Sequence, residues 1–453
     1  MKKSFVWALM AMLVVAGSAF AAPARVTDNA TFATGAPTTT NNDDSCDIAV
    51  TPAATLLLPY FEVNLAGGGG GETTLFTVTN TSRLPQIAHV TVWTDWSFPV
   101  LDFNIFLTGY DTQSINMYDI IGRGLIAPDT GTSSATTPGS LSAKNNANPL
   151  LNIGNCADLA KEIPPPLRED LVSALTLGTT DECDDIGDVH ANAIGYVTVD
   201  VASNCSTSLP TDENYFATEI LFDNVLIGDY QQVDPANDFA QGNPMVHIRA
   251  VPEGGAAIAT PGTNFDRTFY SRYQAGGTRD RRQPLPAVFA ARWISGGSTG
   301  FATSYKIWRE GDPDASTGSC ATTDYSANGD LGVTEIVRFD EQENPTTFRP
   351  NIIISPPVIN NVSMPETSLQ NTAGSNFPPI GTGDVAGWMY LNLDNRLLGQ
   401  GTASQNWVVV SMRAEGRYSV DFDAAYLGNG CSAPMAASDP ATNPIGPLPN
   451  VTP

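Results

Sequence analysis

The chain has 453 residues, which at roughly 100 to 200 residues per domain is enough for two to four domains and excludes a mini-protein. Charged residues make up 15% and hydrophobic ones 42%, against roughly 25% charged in an ordinary soluble domain. The polar surface must therefore come from Thr, Ser, Asn and Gly. With 47 acidic against 22 basic side chains and a formal charge of -25, the composition excludes a general nucleic-acid binder and a protein held on anionic lipid by charge.

Lys2 and Lys3, the apolar run Phe5 to Ala16, the small residues after it and Ala19-Phe20-Ala21 follow the order of a secretory signal peptide. Residues 1–21 are thus expected to be removed on export from a bacterial cell, to the periplasm or the exterior. The run is short of the about 20 residues a membrane span needs, and no later segment supplies one. Residues 22–45, rich in Thr, Asn and Ala, read as a flexible N-terminal segment.

Residues 46–125 read as β-sandwich strands, at Leu57 to Val63, Thr73 to Val78, Ala88 to Thr94 and Leu101 to Thr108. Gly67 to Gly71 has no Lys-Ser or Lys-Thr after it and reads as a flexible hairpin. Period-two geometry puts His89, Thr91 and Trp93 on one face of their strand. Trp93 and Trp96 flank Asp95, and with His89 they form a candidate sugar-stacking platform. The same tryptophans also suit core packing between sheets.

Residues 126–190 read as a loop followed by a helical insertion. Prolines 164 to 166 open the helix, Leu167, Leu171, Ala174 and Leu175 recur at helical spacing, and Gly178 ends it. Cys156 and Cys183 bracket this helix, so the expected disulfide joins them. The other expected pairs are Cys46 with Cys431 and Cys205 with Cys320, among the 15 connectivities that six cysteines allow. No CxxC occurs. The run Asp184 to His190 combines carboxylates with an imidazole, and reads first as a solvated acidic loop and second as a divalent-ion site.

The central region, 191–350, offers strands at Ile194 to Val201, Ala217 to Phe222, Met245 to Val251, Ala287 to Ile294, Thr303 to Trp308 and Thr334 to Phe339. Gly296 to Gly300 matches the hydrolase pattern G-x-S-x-G, yet the strand after it makes a hairpin loop the expected context instead of a nucleophile elbow. Asp324, Ser326, Asn328, Asp330 and Glu335 stand in the order of an EF-hand calcium loop with Gly329 at its bend. They are candidate ligands of a structural calcium, although no flanking helices are expected. Six arginines between Arg267 and Arg292 are expected to pair with the chain's own aspartates or to meet an acidic glycan or partner.

A Pro/Asn-rich connection, 351–383, leads to C-terminal β-hairpin strands in 384–432 and a flexible tail at 433–453. The expectation is an all-β chain, one large or two packed antiparallel β-sandwich modules with a small disulfide-stapled helical insertion. Two function classes remain. One is an exported, non-catalytic protein of the bacterial envelope or exterior, structural, adhesive or ligand-binding, with a glycan or envelope protein as partner. The other is a carbohydrate-binding or carbohydrate-active protein of the glycoside hydrolase class.

Overall fold

The computed structural model describes residues 51–126, 148–152, 156, 162–184, 186–212, 214–251, 253–254, 256–260, 268–270, 279–296, 300–309, 335–348, 385–393, 405–414 and 418–426. The first strands are β1 (Thr55–Val63), β2 (Thr73–Asn80), β3 (Gln86–Trp93), β4 (Pro99–Leu107) and β5 (Thr112–Asn116), followed by helices α1 (Met117–Arg123) and α2 (Pro165–Leu177). Then come β6 (Ala193–Ala202), β7 (Leu226–Asp234), β8 (Phe239–Pro244) and β9 (Val246–Ile248). The later strands are β10 (Val288–Ile294), β11 (Ala302–Arg309), β12 (Glu335–Asp340), β13 (Pro345–Phe348), β14 (Ala386–Asn392), β15 (Asn406–Ala414), β16 (Tyr418–Asp423) and β17 (Ala425–Tyr426). The chain is all-β, and every strand pairing between these elements is antiparallel.

The sheet β4-β3-β6-β1-β9 organises the molecule. Its strands β3 and β6 are buried along their whole length, which requires cover on both faces. One face carries Leu56, Leu58, Val90, Val92, Val197 and Val199 into a core shared with Phe76, Ile115 and Tyr230 of the sheet β5-β2-β7-β8. The opposite face carries Leu57, Trp93 and Tyr196 into a second core. That core also holds Phe289, Trp293, Met389 and Leu391 of the sheet β13-β12-β14-β10-β17, and Tyr305, Ile307 and Val408 of the sheet β11-β15-β16. Both cores thus share one middle sheet.

Helix α2 forms where the prolines and leucines predict it. Leu171 and Leu175 close the end of the first core, and Gly178 caps the helix in the left-handed conformation at φ 67°. A Cβ at Gly178 would run into the backbone carbonyl of Gly187. No described helix is long and apolar enough to cross a membrane.

Several expectations need correction. Cys156 is bonded to Cys205, with Cα atoms 5.1 Å apart, so neither Cys156 with Cys183 nor Cys205 with Cys320 is a pair. The reason is tertiary: Asn152 and Asn204 form a parallel bridge that brings the two cysteines together against Ile87, Phe106 and Ala202. Cys183 is also disulfide-bonded and packs on Ala174 and Ile186. Cys46 and Cys431 lie outside the described residues. Ala217 to Phe222 is not a strand, because Tyr215–Glu219 winds as a π-helical turn that places Tyr215 and Phe216 in the second core.

The glycine run at 67–71 contains a 3-10 turn, Gly68–Gly70, and carries the chain from one sheet to another instead of closing a hairpin. β14 and β15 also belong to different sheets, and the hairpin there is β15 with β16. Gly296 and Phe301 exchange both backbone hydrogen bonds, at 2.6 and 3.0 Å, in a tight link to strand β11. Ser298 and the calcium-loop positions Asp324, Ser326, Asn328 and Asp330 lie outside the described residues, while Glu335 opens β12.

Candidate functional site: a buried polar seam

The face that the middle sheet turns to the second core is not wholly apolar. Register aligns Thr55 with Asp200, Asp200 with His89, and His89 with Asn104, so one polar row crosses four strands. Asp200 sits at its centre, fully buried. Thr55 Oγ1 donates to Asp200 Oδ1, and Tyr215 and Tyr270 each donate a hydroxyl to Oδ2, at 2.6 and 2.7 Å. The Arg282 guanidinium lies 3.4 Å from Asp200 and 3.1 Å from Asp280, and it also donates to the Leu221 carbonyl at 3.0 Å. Arg282 and Asp280 are as buried as Asp200.

Burial, then the charge of Asp200, pushes both tyrosine hydroxyls well above their ordinary range, so they stay neutral donors. Burial also raises Asp280, against the pull of Arg282. For Arg282, burial opposes the charge but Asp200 and Asp280 outweigh it and hold the guanidinium protonated. Fixed charges paired this closely, with the remaining lone pairs bonded, are the form in which buried ions persist. Arg282 of the arginine cluster thus pairs with two of the chain's own aspartates, Asp200 and Asp280, as expected.

The proposed platform residues are set into this framework. Trp93 is 1% exposed; its ring stacks on Tyr196 with centroids 5.6 Å apart, and its indole N–H donates to Thr198 at 2.9 Å. It offers no face to a sugar. Trp96 packs with Ala174, Cys183 and Ile186. Asp95, 1% exposed, holds the loop after α2 by accepting from the Asp188 N–H at 3.1 Å and from His190 Nε2 at 2.8 Å. Burial lowers the His190 pKa, but the hydrogen bond and charge of Asp95 outweigh it and leave it raised. His89 Nδ1 meets Asn104 at 3.0 Å, while Nε2 is buried without a hydrogen-bond partner. The structure therefore brings His89 and Trp93 to one face but turns Asp95 and Trp96 to the end of the helix.

A second polar cluster spans the strands β1 and β11. Lys306 Nζ donates to Tyr60 OH at 3.1 Å and lies 4.3 Å above its ring. Tyr60 in turn donates to Glu62 at 2.5 Å, and Asn192 donates to the other Glu62 oxygen at 2.7 Å. Nearby, Arg413 of β15 faces Glu72 at 3.6 Å and covers the Phe239 ring. Burial raises the Glu62 pKa, but Lys306 and the two hydrogen bonds outweigh it and lower it. Burial and the neighbouring Glu62 charge push Glu72 up to about 7, against the opposing charge of Arg413. Two glutamates near one another thus favour opposite protonation states.

Sequence reasoning missed Asp200, Asp280, Tyr215, Tyr270 and the Glu62–Glu72 pair. One signal was present, since Thr198 and Asp200 alternate with valines on a strand as apolar as β6. Among the described residues no cluster of three or more His, Cys, Asp or Glu side chains is arranged to hold a metal. Comparison of the chain with protein-family models, with curated proteins and with solved structures finds no match.

Proposed function

We propose that the chain is an exported, non-catalytic β-protein of the bacterial envelope or exterior, acting through its surface in structure, adhesion or ligand binding. The observation that carries this reading is the Cys156–Cys205 disulfide, a bond that persists in oxidising compartments and is rare in the cytosol. It agrees with the leader-like residues 1–21. The use of Asp200, Asp280, Arg282 and Asp95 to join sheets and loops also supports it, because the first three side chains are occupied by one another and Asp95 is occupied by His190 and the Asp188 N–H. Cell fractionation with thiol alkylation tests the reading. The oxidised chain is expected in the periplasm or the medium, without reducing-sugar release from a polysaccharide panel. Retention in the cytosol with free thiols overturns it.

The second reading is a carbohydrate-active enzyme, and the opposed protonation states of Glu62 and Glu72 favour it. Hydrolysis of any polysaccharide in the panel that is lost in both Glu62→Gln and Glu72→Gln would replace the non-catalytic reading with this one.

A further inference from the structure

The outer face of the sheet β5-β2-β7 floors a pocket of about 280 Å³, walled by α1 and by Leu125 and Ile126. Register lays two rows across this floor. Ser114, Thr77 and Asp229 form one row, and Asn116, Leu75 and Gln231 the other. With strands about 4.8 Å apart and alternate residues about 7 Å apart, the floor measures roughly 10 by 7 Å.

The polar groups of this floor differ from those beside it. One step along the strands, Thr79 and Thr112 bond each other at 2.9 Å, and at the edge of the floor Asn116 Oδ1 is taken up by Thr73 at 2.8 Å. The side chains of Thr77, Ser114, Asp229 and Gln231, by contrast, make no hydrogen bond or ion pair within the described protein. Two hydroxyls, a carboxylate and an amide therefore converge around the aliphatic Leu75, with Leu125 and Ile126 at the wall. A ligand that satisfies this set has several hydroxyls and one C–H face.

We propose that this pocket binds a single pyranose unit of a neutral glycan. Asp229 accepts from a pair of sugar hydroxyls, Thr77, Ser114 and Gln231 exchange hydrogen bonds with others, and Leu75 packs against the ring's C–H face. The open carboxylate and the acidic chain exclude an anionic sugar. The volume is at the small end of ligand pockets, so it fits one ring and leaves the rest of the glycan outside. The proposal deepens the ligand-binding reading above and rests on it.

The test uses the full mature chain, titrated calorimetrically with methyl glycosides of glucose, galactose, mannose and xylose and retained on columns of the corresponding neutral polysaccharides. Saturable binding to at least one probe is expected. Asp229→Asn should weaken it by about tenfold or more, the scale of a hydrogen bond to a charged group. Ser114→Trp, which fills the pocket, should abolish it. Both positions are exposed, so melting temperatures should stay close to that of the unaltered chain.

No saturable binding to any probe overturns the proposal. So does binding that survives both variants, or that is lost only in Trp388→Ala, which removes an exposed aromatic on another sheet. If an exported chain binds none of the probes, only the pocket assignment falls. If sugars bind here and are also hydrolysed, the non-catalytic reading falls and the pocket stands.

Discussion

Asp200 and Asp280 are two fully buried carboxylates, with Arg282 between them. Removing the cation leaves both uncompensated, so Arg282→Met should destabilise the chain by about 3 to 5 kcal/mol in chemical denaturation. Tyr270→Phe removes one donor to Asp200 and leaves its other partners in place, and should cost about 1.5 to 3 kcal/mol. The ordering of the two losses is the check, because a network held mainly by the tyrosines would reverse it. Gly228 shows a different constraint at the same scale. A Cβ there would lie 2.6 Å from the Thr77 carbonyl and 2.7 Å from Met245 Sδ, so Gly228→Ala is expected to cost about 1 to 3 kcal/mol through overpacking.

At the level of elements, the Cys156–Cys205 bond closes a stretch with a sequence separation of 49. Loop-closure entropy makes such a link worth about 4 kcal/mol at most. Peptide mapping without reductant should recover the two cysteines joined, and a Cys156→Ser, Cys205→Ser double variant should unfold at lower denaturant. The strands β1, β3, β4, β6, β10, β11, β14 and β15 were legible because they are apolar runs bounded by turn residues. Helix α2 was legible from its prolines and leucine spacing. β7 was not, since its inward positions include Gly228, Gln232 and Asp234, which hide the alternation. β8 ends in Gly-Asn-Pro and reads as a turn. In the segment around Tyr215, apolar residues suited to a strand serve a π-helical turn, because its aromatics are needed against Tyr270 and His89. The platform residues were found by residue type, but type does not reveal that a Trp faces another ring instead of solvent. The disulfide partner was hidden for the same reason, since it depends on a bridge between Asn152 and Asn204.

For the whole molecule, the cluster of Glu62, Glu72, Lys306, Arg413 and Asp234 links the early strands to the late ones, and it makes stability depend on pH. Glu72 has its folded pKa raised to about 7, mainly by burial and then by Glu62 and Asp234 against Arg413 and Lys306. Between the unfolded value near 4.5 and 7 the folded chain therefore keeps a proton that the unfolded chain releases. This contribution to stability is full below that window and is lost as pH rises through 7. Glu62, whose folded pKa is lowered, acts in the opposite sense, and its contribution is lost as pH falls below its unfolded value. Thermal melts should show a decline from pH 5.5 to about 8 that is flattened in Glu72→Gln; an unchanged slope in that variant would assign the decline to other groups. The middle sheet has a further consequence. Its two faces serve as the floor of one core and the ceiling of the other, so a fragment ending before β10 would leave Leu57, Trp93, Tyr196 and Phe216 facing water. Such a fragment is expected to aggregate unless its complement is co-expressed. Inheritance of either half alone is thereby discouraged, and insertions are better accommodated at the outer loops than between the two halves.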